Sequence, residues 1–298
     1  MLEALLSNLK EEDLSSRKQK GLSSLKQENL FDLTGRVALI TGGAGLLGEQ
    51  HARAIASAQG IPVLLDISDG SAEKAHDLGV EYGVPAFGRR TDITKASDLT
   101  ACLEDVLERF GSIDILINNA ANNPMMESPS RVNFSRFENF PLEQWHADLS
   151  VGLTGAFLCS QVFGAEMARR GKGVIVNIAS DLALIAPDQR IYRQPGVPDH
   201  LQPVKPVGYS VVKSGLIGLT RYLATYWAES GVRVNAISPG GVYNGQPDDF
   251  VGKLSRLIPL GRMACRTEYQ GAILFLCSDA SSYMTGANLV VDGGRTCW

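Results

Sequence analysis

Cysteine is scarce in this chain: five among 298 residues, an odd number, widely spaced and without a Cys-x-x-Cys pair. That pattern excludes a disulfide scaffold, and the reduced thiols of an intracellular protein are the simplest reading. The four histidines show no metal-ligand spacing, so no metal site is expected. Neither sign of charge dominates: 28 Lys and Arg face 32 Asp and Glu, a formal net charge of -4. The basic residues are scattered and leave no electrostatic footprint for nucleic acid. No unbroken apolar run approaches the ~20 residues of a membrane span. The N-terminal run Met-Leu-Glu-Ala-Leu-Leu-Ser-Asn-Leu-Lys lacks the basic segment and long apolar stretch of a secretory signal. These absences point to a cytoplasmic protein with a small-molecule partner, and with neither membrane nor nucleic acid.

What is present is apolar residue in short, regular blocks. Hydrophobic residues make up 44% of the chain, enough for one large α/β domain or two small ones. Residues 1–30 stand apart: Leu2, Leu5, Leu6 and Leu9 recur at helical spacing ahead of a Lys/Glu/Ser-rich stretch. A short isolated helix is marginal in water, so this segment is expected to be an arm, partly helical or disordered. From Phe31 the apolar runs Val37–Ile40, Pro62–Leu65, Ile113–Ile117, Val174–Ile178, Val232–Ile237 and Asn288–Val291 suit buried strands. They alternate with amphipathic stretches near 48–59, 72–82, 96–110, 141–169, 209–230 and 267–278. Such alternation predicts a doubly wound α/β domain over 31–298, a parallel sheet covered by helices on both faces. Sheets of this kind bind ligands at the carboxyl ends of their strands, near the topological switch point.

The first run leads straight into Thr41-Gly-Gly-Ala-Gly-Leu-Leu-Gly48, with a helix to follow. Glycines there let the backbone approach a pyrophosphate, and the helix N-terminus offers unpaired N–H groups to the anion. A strand before and a helix after are what separate a nucleotide loop from an ordinary turn. Asp66 ends the second run, 18 residues beyond Gly48. Its carboxylate can accept hydrogen bonds from ribose hydroxyls and would repel a 2′-phosphate, so NAD is expected over NADP. The absence of Lys and Arg from the loop points the same way.

Farther along, Tyr209 and Lys213 stand four apart in Tyr-Ser-Val-Val-Lys, on one face of a helix. An ammonium beside a phenol favours the phenolate. Bringing a tyrosine from ~10 to ~7 needs about 4 kcal/mol of differential interaction. Taken alone, the spacing is equally that of an exposed helix pair. Ser180 closes the apolar run Val174–Ala179 at a strand's carboxyl edge, where its hydroxyl can hydrogen-bond a carbonyl or alcohol oxygen.

In order and spacing these pieces resemble the short-chain dehydrogenase/reductase family, its shorter single-domain branch, over about residues 31–294. The matching motifs are the loop 41–48, Asp66, Asp92-Ile93, Asn118-Asn-Ala-Ala121, Ser180, Tyr209/Lys213, Ser238-Pro-Gly-Gly241 and Val291-Asp-Gly-Gly294. The resemblance implies a Rossmann-like, mainly parallel seven-stranded sheet. It also implies an NAD-dependent oxidoreductase that interconverts a secondary alcohol and a ketone, with Tyr209 as acid and base. Thr41, Gly42, Gly45, Leu46, Leu47 and Gly48 then form the phosphate cradle. Asp92 and Ile93 lie against the adenine, and Asn119, Ala120 and Ala121 support the cofactor floor. Pro239, Gly240, Gly241 and Val242 flank the nicotinamide. Lys213 holds the nicotinamide ribose and depresses the Tyr209 pKa. A homo-oligomer, tetramer or dimer, is implied as well, with segment 283–298 in its contacts.

Three departures qualify the resemblance. Leu46 stands where this branch usually has a glycine, and Gly42-x-x-Gly45-x-x-Gly48 resembles the extended branch of sugar-nucleotide epimerases and dehydratases. Only 85 residues follow Lys213, short for that branch's added domain. Gly152, in Val151-Gly-Leu-Thr-Gly155, replaces an asparagine that in the family holds a water of the proton relay. Its absence keeps open a non-catalytic NAD-binding sensor. Finally, Ser180 and Tyr209 lie 29 positions apart, farther than the family's habit. The surplus, Asp188–Val207 with Pro195, Pro198, Pro203 and Pro206, reads as a stiff irregular loop that should roof or wall the site. A second loop, Asn122–Phe140, also leaves a strand's carboxyl end. Arg131, Arg136, Arg190, Arg193, His200 and Lys205 of these loops suit an anionic or hydroxylated, sugar-like substrate. They equally suit loop salt bridges with Glu127, Glu138, Asp181, Asp188 and Asp199. The insert and the run 241–246 most resemble dehydrogenases of bacterial flagellin-glycan and nonulosonate-sugar pathways, so a sugar or polyol derivative is the expected substrate.

Overall fold

Strands with apolar residues on both faces must be covered on both faces, and the computed structural model, described over residues 29–122 and 135–298, has that architecture. Its strands are β1 (Val37–Thr41), β2 (Ile61–Asp66), β3 (Phe87–Arg90), β4 (Ile115–Asn118), β5 (Gly173–Ile178), β6 (Val232–Pro239) and β7 (Asn288–Val291). They form one seven-stranded sheet in the order β3-β2-β1-β4-β5-β6-β7, with every pairing parallel. The chain starts in the middle, winds outward to β3, then crosses back to β4. The switch point therefore falls between β1 and β4, beside the glycine loop.

The helices are α1 (Leu46–Ser57), α2 (Ser71–Tyr82), α3 (Ala96–Phe110), α4 (Leu142–Arg170), α5 (Val207–Tyr226), α6 (Asp248–Ser255) and α7 (Gln270–Cys277). The period of two along β1 divides the core. Ala38 and Ile40 join Ile55 of α1, Leu78 of α2 and Ile273 of α7 on one face. Val37 and Leu39 join Leu99 of α3, Phe163 and Met167 of α4 and Leu223 of α5 on the other. Each large aliphatic side chain removed from water in this way contributes about 1.5–3 kcal/mol. By length and composition α4 could cross a membrane, but its Cys159, Phe163 and Met167 lie in the protein core. All five cysteines are unpaired, as their spacing suggests.

Two elements lie outside the apolar runs of the sequence. Edge strand β3 is Phe-Gly-Arg-Arg, and at Gly88 a Cβ would collide with the Ser71 carbonyl at the start of α2. A strand pressed so closely by a helix carries no apolar alternation to detect. Helix α6 follows Pro247, with Asp248 and Asp249 in its first turn, where a helix N-terminus favours acidic residues. Of the expected arm, residues 1–28 lie outside the described residues, as do Glu127 and Arg131 of the loop 122–140.

Candidate active site

The carboxyl ends of the central strands open onto a cavity of about 660 Å³, a size that suits a small-molecule cofactor with its substrate. The glycine loop forms one wall. Gly42 takes φ 61, and a Cβ there would stand 3.1 Å from the Ala120 Cα. At Gly48 a Cβ would collide with the Gly42 carbonyl, so α1 can settle onto the loop only with glycine. Gly45 precedes α1, and no side chain caps the helix's first N–H groups. Those donors, with the helix dipole, fit a pyrophosphate. Asp66 accepts the Ala44 N–H on one oxygen and the Ser68 N–H on the other, both at 3.0 Å. Its remaining lone pairs suit ribose hydroxyls.

The end of β4 is stitched to this loop. The Asn119 amide donates to the Thr41 and Gly42 carbonyls at 2.9 and 3.2 Å. The Thr41 hydroxyl accepts the N–H groups of Asn119 and Ala120, each at 3.0 Å. Thr41 and Gly48 thus act behind the wall, whereas Gly42, Gly45, Leu46, Leu47, Asn119, Ala120 and Ala121 face the cavity. Asp66, Asp92, Ile93 and Pro239, Gly240, Gly241 and Val242 face it too. The Thr94 hydroxyl donates to Asp92 at 2.7 Å and is the main cause holding that carboxyl below its usual range. Together these residues fit a dinucleotide.

Ser180, just past β5, meets Tyr209 and Lys213 from the first two turns of α5 on the same cavity. The buried Lys213 ammonium donates to the Ile178 carbonyl at 2.7 Å and lies 5.7 Å from the Tyr209 ring centroid. Burial, then the charge of Lys205, lowers its pKa to about 8. The expected depression of Tyr209 does not follow from this arrangement. Burial pushes the phenol up, the Ser180 hydrogen bond pulls it back, and the Asp181 charge adds to the rise. Lys213 is committed to the Ile178 carbonyl, whereas the phenol is held beside Ser180 and Asp181.

Gly152 lies in a π-helical stretch of α4, Ser150–Thr154. A Cβ there would collide with Val212 Cγ1. The room an asparagine would need is filled by the residue preceding Lys213. The insert does wall the cavity, through Tyr192 and Lys205. It is less irregular than its prolines suggest, with 3-10 turns at Gln189–Tyr192 and Asp199–Leu201. Buried Gln202 ties it together, accepting the Gln194 N–H at 2.8 Å and donating to the Val197 carbonyl at 2.6 Å. Ile191 packs with Leu254, Ile258 and Met263, and Tyr192 lies 5.5 Å from Phe250. Arg190 pairs with Asp188, and Arg136 with Glu138, as loop salt bridges. Lys205 stands 4.1 Å over the Tyr209 ring.

A profile of the family described as short chain dehydrogenase matches residues 36–192, more than half of the chain. The chain belongs to the short-chain dehydrogenase family. Residues 201–296 of this short-chain dehydrogenase match a second profile, described as Enoyl-(Acyl carrier protein) reductase. It is 34% identical to the D-threitol dehydrogenase of Mycolicibacterium smegmatis over 275 residues, 89% of this chain and 95% of the relative. It is 32% identical to an NAD-dependent glycerol dehydrogenase of Listeria innocua, over 89% of this chain and 96% of the relative. It also superimposes with a TM-score of 0.78 on a gluconate 5-dehydrogenase of Burkholderia cenocepacia in complex with NADP and tartrate. That pair is 29% identical over 91% of this chain and 98% of the other. Its relatives thus use both forms of the cofactor.

Sequence reasoning missed two constellations in this short-chain dehydrogenase. One is a buried polar chain beneath the site: the Asn118 amide donates to Ser160 and Asn177, and the Asn177 amide to Thr220, at 2.8–3.2 Å. The other joins the residue after Ser180 to the residue after the terminal glycine pair: Arg295 donates to Asp181 at 2.6 Å, both buried. Adjacency to motif residues was the signal available for Asp181 and Arg295. Nothing in the sequence joins them across 114 positions.

Proposed function

We propose that this short-chain dehydrogenase interconverts a secondary alcohol and a ketone of a polyol or sugar derivative, with NAD as its cofactor. The observation that carries the reading is the meeting of Ser180, Tyr209 and Lys213 on a cavity whose other wall is the glycine loop and Asp66. A bound nicotinamide would supply the hydride chemistry, while Tyr209 would take the alcohol's hydroxyl proton in oxidation, as its phenolate, and return it to the carbonyl oxygen in reduction. Ser180 holds the reacting oxygen in place, and Lys213 holds the ribose side of the cofactor. The loop at the N-terminus of α1 takes the pyrophosphate. The carboxylate of Asp66 takes the adenosine ribose, which favours NAD over NADP. Polyol or sugar-derived substrates are supported by the relatives that act on threitol, glycerol and gluconate.

The test is a panel of polyols, sugar acids and sugars with NAD and with NADP, followed by absorbance of the reduced nicotinamide. A kcat/KM with NADP equal to or above that with NAD would remove the Asp66 argument. Replacement of Tyr209 by Phe should lower kcat at least ~100-fold, the usual worth of a positioned acid–base group, while the NAD Kd stays put. Substantial residual kcat would sink the assignment. A homo-oligomer belongs to the same reading. Tyr222 and Tyr226, stacked at 5.7 Å and exposed on α5, offer an aromatic face for subunit contact, and light scattering would give the stoichiometry.

A further inference from the structure

Ser180 has one hydrogen to give, and its surroundings decide where it goes. Its Oγ lies 2.9 Å from Asp181 Oδ1, and an ionised carboxylate can only accept. The hydroxyl hydrogen is therefore directed to Asp181. The Leu182 N–H reaches the same Oγ at 3.2 Å and occupies one lone pair. Tyr209 lies beside this hydroxyl on the same cavity, and a Ser180 hydrogen turned to the phenol oxygen would favour its ionised form.

Asp181 is held in turn. Its Oδ1 also accepts the Leu182 N–H at 2.8 Å, and its Oδ2 accepts Arg295 Nη1 at 2.6 Å. Ser180, Asp181 and Arg295 are 5%, 3% and 7% exposed, so water does little to screen the chain. Arg295 arrives from the end of the polypeptide because the turn after β7 is tightly fixed. Asp292 accepts the N–H groups of Gly294 and Thr296 at 2.9 and 2.8 Å, and Gly293 and Gly294 take φ 68 and 90. The terminal Asp-Gly-Gly motif thus delivers a guanidinium to Asp181 at the cavity wall.

We propose that the Asp181–Arg295 pair is a positioning device for Ser180, holding its single hydroxyl hydrogen away from the Tyr209 oxygen, which that hydrogen would otherwise stabilise as the phenolate. The proposal rests on Tyr209 being the acid–base group. It assigns this chain a charge chain from the turn after β7 to the group beside the reacting phenol. The carboxylate of Asp181 opposes ionisation of Tyr209, and Arg295 tempers that opposition. To donate to a substrate oxygen, Ser180 must first release Asp181.

Other titratable groups face this group from each neighbouring element: Lys213 on α5, Lys205 and Asp188 on the insert, Asp148 of α4 against the first turn of α5, and the Tyr269 phenol, which feels Asp181 together with Glu268 and Asp292. None of them is altered by the two variants that test the idea. Asp181→Asn keeps an acceptor for Ser180 but removes the negative charge. Arg295→Gln keeps a donor for Asp181 but removes the positive charge. The readout is the ionised fraction of Tyr209 at a fixed alkaline pH in the NAD complex. It is followed by NMR of tyrosine labelled at the oxygen-bearing ring carbon, with Tyr209→Phe identifying the resonance.

Asp181→Asn should raise the ratio of ionised to neutral Tyr209 about tenfold, the effect of one neighbouring charge, and Arg295→Gln should lower it. In alcohol oxidation the acid limb of kcat/KM should move in parallel, about one pH unit down and up respectively. General damage to the site cannot produce shifts of opposite sign. Should one variant fail to fold, the direction in the other decides. Shifts in the same direction, the reverse directions or none would overturn the proposal. The NMR readout needs no turnover, so a Tyr209→Phe protein that still oxidised alcohols would refute the acid–base reading separately.

Discussion

Tyr209 stands among two ammonium groups and one carboxylate, and burial, aided by the carboxylate, wins. Lys205 and Lys213 stand 4.1 and 5.7 Å from the ring centroid, whereas the Asp181 charge opposes ionisation of the phenol. The phenol is accordingly neutral at physiological pH, with its pKa above the ordinary tyrosine value. A neutral phenol is a proton donor ready for ketone reduction and a poor acceptor for alcohol oxidation. Oxidation kcat/KM should therefore climb steadily above about pH 7, while reduction holds level through neutrality and falls only under alkaline conditions. Rate profiles in both directions check this, and an oxidation rate flat across the neutral range would contradict it. The sequence displayed the participants, since Ser180, Tyr209 and Lys213 announce themselves by type and place. It could not display the sign of the shift, which depends on burial and on an aspartate held from 114 positions away.

Elements were legible where their periodicity was strong. The runs that became β1, β2, β4, β5, β6 and β7 lie in apolar surroundings on both sides, and that apolar content is visible in the sequence. Strand β3 was hidden because α2 crowds Gly88 and leaves an arginine-rich edge. Gly152 illustrates a different limit. Its missing side chain was visible, but the Val212 side chain that occupies the room belongs to another helix. The insert 188–207 was legible as an anchored wall, and its anchor is the small cluster of Ile191, Leu254, Ile258 and Met263. Truncating Ile191 to Ala empties that anchor. Buried Ile→Ala changes cost about 2–5 kcal/mol when the whole fold bears the loss. Here the cluster is a satellite, so local opening of the wall should absorb most of it. We expect a severalfold rise in substrate KM with an unchanged NAD Kd and a small change in Tm. Steady-state kinetics with a cofactor titration would show it, and an equal weakening of NAD would mean that the wall and the glycine loop move together.

At the scale of the whole molecule, one buried titratable group links acidity to folding. His51 on α1 is fully buried, and neither ring nitrogen has a hydrogen-bond partner among the described residues. Asn119 approaches closely enough to favour the charged ring slightly, but its amide is committed to the Thr41 and Gly42 carbonyls. Burial dominates and brings the His51 pKa down to about 3 from an ordinary 6.5. Above the ordinary value the folded and unfolded chains are both neutral at this ring, and it adds no pH dependence. As pH falls below it, the unfolded chain takes up a proton that the folded chain refuses until about 3. Stability must therefore fall with pH across that window, by up to about 1.4 kcal/mol per pH unit from this one ring. The strongly paired carboxylates Asp188 and Glu268, both near 2, begin to lose their contribution only as pH falls through their ordinary values of 3.8 and 4.5, so between 6.5 and about 5 they add no slope. His51→Leu should flatten the dependence of unfolding free energy on pH between about 6.5 and 5, read by urea titration at each pH, with little change at neutrality. A slope unchanged in that variant would assign the acid sensitivity of the fold to another group.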